Sequence, residues 1–195
     1  MIPELDALTG HLPLGRYHAT LTEVYERFVT HSDFTGSPTR QGVWNGFIAY
    51  MTAWRELEDR MAADLGEMPL VQAVWLGGSF ISRKFDPHNL DTTLLVDGEL
   101  ADSCKGKPGV GAIKRLSHRE VILEEFKVSP CLVRHRYFRS PFRPHIAGNP
   151  DIEDYVMMRG AFDDWWQRVR PDGQPKGEPT RESAVPRRGY LEVGV

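Results

Sequence analysis

The stretch "VWLGGSFISRKFDPHNLDTTLLV", residues 74–96, decides how the chain is read. An apolar run ends in Gly77-Gly78-Ser79, a polar loop of about ten residues follows, and a second apolar run opens at Asn89-Leu90-Asp91. "VQAVWL" and "DTTLLV" are rich in β-branched and large apolar residues, so both read as buried strands. Between them, glycines let backbone N–H groups approach an anion closely, and the Ser79 hydroxyl adds a rotatable donor. A helix opening at Ser79 or Phe80 would add its positive end to that corner. No Gly-Lys-Ser/Thr follows and the spacing is not G-x-G-x-x-G, so the corner is neither a Walker loop nor a dinucleotide fingerprint. Asn89 and Asp91 alternate with Leu90, which puts their side chains on one face of the strand, beside the Gly-Ser corner.

Outward from this stretch, "ATLTEVYERFV" carries Thr20 and Glu23 at capping-box spacing and predicts a short helix to about Val29. "HSDFTGSP" reads as a turn. From Thr39 to Ala63, Val43, Phe47, Met51, Trp54, Leu57 and Met61 recur at spacings of three and four, a long amphipathic helix with one buried stripe. Residues 110–119 predict a helix after the basic loop "DSCKGKPGVG". "EVILEEFKV" and "CLVRHRYF" read as two further strands separated by Ser129-Pro130. "DIEDYVMMRGAFDDWWQRVR" reads as a helix with Asp151 at its start and Arg168 and Arg170 at its end, as the helix dipole favours. The segment Pro171 to Arg188 reads as an extended arm, and "GYLEVGV" as a last strand. The expected class is α+β, a small mixed sheet with flanking helices in one domain over residues 1–195, the N-terminal helices falling at about 20–63 and the arm at about 171–195.

The chain has 195 residues, 41% of them hydrophobic and 26% charged, which suits a globular core. No apolar run approaches the roughly 18 residues that would span a bilayer, and the acidic start "MIPELDALTG" lacks a signal peptide's basic and apolar blocks. No membrane association and a cytoplasmic address are therefore expected. Cys104 and Cys131 form no CxxC pair, and His118, His135 and His145 have no metal-ligand spacing. Cys104 lies in a basic loop, but no histidine is near enough in sequence to argue for a nucleophile. Charge is uneven: residues 1–104 carry a net −8, residues 105–145 a net +7 and residues 146–195 a net −2. That asymmetry points to a local anion-binding face.

"LGGSFISRKFDPHNLDTTLLV" resembles the signature of the polymerase β-type nucleotidyltransferase superfamily: an apolar strand, Gly-Ser, a loop of about ten residues, then Asp-x-Asp leading a strand. "LPLGRYHATLTEVYERF", residues 12–28, is similar to the start of a small prokaryotic and phage group within it. The resemblance implies a small twisted sheet with flanking helices, an NTP bound with Mg²⁺ or Mn²⁺, and transfer of a nucleotidyl group to a hydroxyl. On that reading Gly77, Gly78 and Ser79 hold the β- and γ-phosphates and Asp91 ligates metal. Lys84 and Arg83 in the loop face the triphosphate, and Arg134 and Arg136 neutralise its charge. Ser82 hydrogen-bonds to phosphate or to its own turn. The acceptor is open (protein, RNA or small molecule), and a protein partner or homo-oligomer is compatible with it.

The chain departs from the motif at one position. Asn89 stands where the first carboxylate belongs, and it offers a hard cation a neutral oxygen in place of a charged one. Removing a unit charge about 4 Å from a dication weakens the attraction by on the order of several kcal/mol. Pairing Asp91 with Thr93 is no better, and Asp86 sits in the loop. The third carboxylate of the superfamily lies on a neighbouring strand, for which Glu124 and Glu125 are the nearest candidates, each equally read as a solvated edge position. "LVRHRYFRSPFRPH" supplies Arg134, Arg136, Arg139 and Arg143 interleaved with aromatics, which suits phosphates and bases. Those arginines could instead pair with the acidic first half, Glu56, Glu58 and Asp59 above all. Two functions are thus expected: a nucleotidyltransferase weakened at Asn89, or a member of the fold that binds a nucleotide, nucleic acid or protein without turnover, as in a toxin–antitoxin or phage–host setting.

Overall fold

A computed structural model describes residues 1–66, 68–138, 148–169 and 180–194. The chain is α+β. A five-stranded mixed sheet runs in the order β1-β5-β2-β3-β4, with β1 at Gly15–Ala19, β2 at Val71–Gly77, β3 at Leu90–Asp97, β4 at Val128–His135 and β5 at Gly189–Val193. The β1–β5 and β3–β4 pairs are parallel, while β2 is antiparallel to both its neighbours. The helices are α1 (Leu21–Tyr25), α2 (Arg40–Arg60), α3 (Ala62–Leu65), α4 (Gly98–Ser103), α5 (Val110–Leu116), α6 (Arg119–Phe126) and α7 (Pro150–Trp166).

Local chemistry sets these boundaries. Thr20 and Glu23 form the expected capping box at α1, which passes into a π-turn at Glu26–Thr30. Val43, Phe47, Met51, Trp54, Leu57 and Met61 are all buried along α2, so the stripe packs into the core. α2 lies against β3, β4, α5 and α6. On the opposite face, the Trp166 indole lies over Gly77 and donates to Thr93 Oγ1 at 2.9 Å. A Cβ on Gly77 would sit 2.3 Å from that ring. α7 therefore covers the face that carries Gly77, Asp91 and Thr93, which alternation separates from Val74, Leu76 and Leu94.

Three expectations change. "EVILEEFKV" is mostly helix, not strand: α6 turns Ile122 inward and leaves Glu120, Glu124 and Val121 on its exposed side. Three apolar residues flanked by glutamates fit a helical turn as well as a strand, and glutamate favours the helix. Ser129-Pro130 does not separate strands but lies within β4. Leu90 N–H donates to Lys127 O, so the odd-numbered residues of β4 carry the ladder and the Pro130 nitrogen points to the free edge. Ahead of the first expected helix the chain forms β1, a strand outside the expected elements, which pairs with β5 over its whole length. The arm falls partly outside the described residues; Pro186 makes an isolated bridge to Arg168, and Arg188 leads directly into β5.

α2 and α6 cross at Gly46, where a Cβ would meet the Phe126 carbonyl oxygen at 1.9 Å. Gly42, one turn earlier, faces open space. Gly46→Ala should destabilise the fold by about 2 kcal/mol or more through overpacking against backbone, whereas Gly42→Ala should stabilise it by up to about 1 kcal/mol. Urea denaturation of the two variants reads the contrast directly.

Candidate functional site

The antiparallel pairing sets Gly77 opposite Asp91, which brings the Gly-Ser corner and the start of β3 together. Gly78 adopts φ +73°, and a Cβ there would lie 2.0 Å from Asp91 Oδ2. Only glycine leaves room for the carboxylate against the corner's backbone. Asn89 Nδ2 donates to Asp91 Oδ1 at 2.9 Å, so the two side chains share one face. The Ser79 hydroxyl is half-buried and donates to no other described residue. No helix begins behind the corner; residues 78–89 form turns and bends that bury Phe80 and Ile81.

That loop is held from below by Arg40, the first residue of α2, which is 1% exposed. Its guanidinium donates to the carbonyls of Phe28, Phe80, Ser82, Lys84 and Phe85 at 2.5–3.2 Å. The Phe34 ring lies 3.6 Å below it. Burial lowers the Arg40 pKa to about 10, with Asp86 acting against the shift, so the group stays charged at neutral pH. Ser37 Oγ joins Asp86 Oδ1 at 2.9 Å, which assigns Asp86 to the loop's own support. Ser82 Oγ donates to Ser79 O at 2.7 Å, the local reading of that residue. Arg83 turns toward the N-terminal segment and donates to Ala7 O, and exposed Lys84 gives its carbonyl to Arg40.

The neighbours of Asp91 differ from those expected. The residue opposite it on parallel β4 is Ser129, not a carboxylate. Glu124 and Glu125 lie on α6, and Glu125 pairs with Arg115. Arg119, at the start of α6, donates from Nε to Ser129 Oγ at 2.8 Å. Arg188 donates from Nε to Trp166 O at 3.0 Å. Burial raises the Asp91 pKa, and Asn89, Ser129 and the charges of Arg119 and Arg188 oppose it. Burial also lowers the Arg188 pKa, against the pull of Asp91.

Arg134 and Arg136 do not reach this corner. They lie at or just past the opposite end of β4, about 16 and about 23 Å along the chain from Ser129 at roughly 3.3 Å per residue. Both converge on Asp102 of α4, and Arg136 also binds Asp151 of α7. Hydrogen bonds from Lys105, then Arg136 and Arg134, hold the Asp102 carboxyl well below the usual range. These arginines do pair with acid, but not with Glu56, Glu58 or Asp59. Glu58 instead accepts from the Leu70 and Val71 amides. Arg139, Arg143, Phe142 and His145 lie outside the described residues. Cys104 is fully buried.

The chain belongs to a family of unknown function, DUF6932. The family model matches residues 3–179. No curated protein and no solved structure matches the chain. Among the described residues of this DUF6932 member, no helix is long and apolar enough to cross a membrane. An open groove of about 820 Å³ lies along α2 between Tyr25, Trp44 and Phe126, and none of its lining residues belongs to the corner.

The donor set bears on the metal pair that the superfamily resemblance implies. One carboxylate, an amide that spends its N–H on that carboxylate, a serine and two guanidiniums do not make a two-metal site. Among the described residues, no group of three His, Cys, Asp or Glu side chains could hold an ion.

Arg40→Met should destabilise the fold by about 3–5 kcal/mol, since five carbonyls, three of them in buried hydrogen bonds, lose their donor. Limited proteolysis should then cut within residues 79–88. For Asp91 the sign follows from its raised pKa: folding disfavours the charged form, so this group's contribution falls as pH rises through the folded-state value. Asp91→Asn should thus melt at or above the natural chain at pH 7. The difference should vanish in acid, as thermal melts across the pH range would record.

Proposed function

We propose that the corner formed by Gly77, Gly78, Ser79, Asn89 and Asp91 is a nucleotidyltransferase-type site that binds the triphosphate of an NTP and is impaired in nucleotidyl transfer. The observation that carries this reading is the contact of Asp91 with Gly78. It supports the strand–Gly-Ser–strand arrangement that the resemblance implies, and on this reading Asn89 and Ser129 stand where further carboxylates would gather metal. Backbone amides at the corner and the Ser79 hydroxyl supply donors for phosphate oxygens. Asn89 keeps Asp91 oriented by donating to it. Chemistry that needs two bridging cations loses its ligands, while binding does not.

Calorimetry with each of the four NTPs tests the binding, and α-phosphate labelling of a cell extract tests transfer. Binding of at least one NTP without labelling is the expected outcome. Asn89→Asp should tighten Mn²⁺ binding by about tenfold or more, because it returns a charged oxygen to the strand. Absence of binding for every NTP would overturn the reading. Labelling by the natural chain would show that Asn89 is a competent ligand and that transfer is intact.

A further inference from the structure

Three features lie outside the carboxylate motif: the groove along α2, the Asp102 cluster, and the cations near Asp91. The groove carries nothing that says what occupies it. The Asp102 cluster is a closed set of ion pairs joining α4, β4 and α7. The cations around Asp91 go further.

Arg119 and Arg188 come to the corner from different elements, α6 and the approach to β5, and neither has a carboxylate bonded to it among the described residues. Each commits Nε to an anchor, Ser129 Oγ or Trp166 O, which leaves the terminal nitrogens of the fork free of those bonds. Both anchors border the site: Ser129 is level with Asp91 on the next strand, and Trp166 lies over Gly77. Arg119 also opens its helix, where the macrodipole favours an acid over a base. Its position is thus poor for α6 and good for a ligand at Asp91. Two guanidiniums against one carboxylate leave the corner with a surplus of positive charge, held in forks that match phosphate oxygens.

We propose that Arg119 and Arg188 supply the positive charge that sites of this type draw from divalent cations, so that the corner binds a nucleoside triphosphate without metal. The proposal rests on the nucleotide-binding reading above and gives it a specific form. Asp91, with Asn89 donating to it, then offsets part of that positive charge rather than ligating metal.

The test is calorimetric titration of the full chain with ATP, GTP, CTP and UTP, in excess EDTA and again in excess Mg²⁺. Affinities within about threefold of each other in the two conditions are expected. Arg119→Gln, an exposed substitution, and Arg188→Lys should each weaken binding in EDTA by about tenfold. Circular dichroism checks that both variants fold, and Arg119→Gln decides alone if Arg188→Lys does not. Binding that requires Mg²⁺, or that is unchanged in the folded variants, overturns the arginine proposal and leaves nucleotide binding standing. No binding in either buffer overturns both.

Discussion

The buried guanidinium of Arg40 is the constraint on which the site depends. It is a full charge in the core whose direct partners are carbonyl oxygens and the faces of Phe34 and Phe80. A buried charge is tolerable only when its donors are met, and a loop without secondary structure is tolerable only when its carbonyls are met. Each problem is the solution of the other. The same five bonds join the π-turn after α1, the first turn of α2 and the loop after the Gly-Ser corner. That common anchor fixes the loop on which Ser79 sits, and with it the distance between the corner and β3.

The sheet around the corner was legible because its strands announce themselves chemically. "VQAVWL" and "DTTLLV" have no competing reading, and the capping box and apolar stripe fix α1 and α2. The errors arose where a local pattern had two physical meanings. "EVILEEFKV" is too short for periodicity to separate helix from strand, and Pro130 reads as a breaker unless the edge position of its strand is known. β1 was hidden because Arg16, Tyr17 and His18 are a polar stretch that becomes a strand only when β5 returns beside it.

The site was legible in part. The interval from Ser79 to Asp91 brought Gly77 and Gly78 to the carboxylate, and residues 89 and 91 do share a face. Arg119 and Arg188 could not be found this way. They lie 28 and 97 positions from Asp91 in sequence, one at the end of the expected helix over 110–119, the other at the end of a segment read as an arm. No local pattern ties such residues to a corner; only the pairing of β4 with β3 and the return of β5 does. The opposite error has the same source. Arg134 and Arg136 formed a conspicuous cluster in sequence, yet the direction of β4 carries them to the far end of the sheet.

The outward nitrogen of Pro130 has a consequence for self-association. A sheet margin whose third residue has no amide hydrogen lacks one donor of the ladder that a neighbouring strand needs, so β4 is a poorer seed for sheet-to-sheet polymerisation.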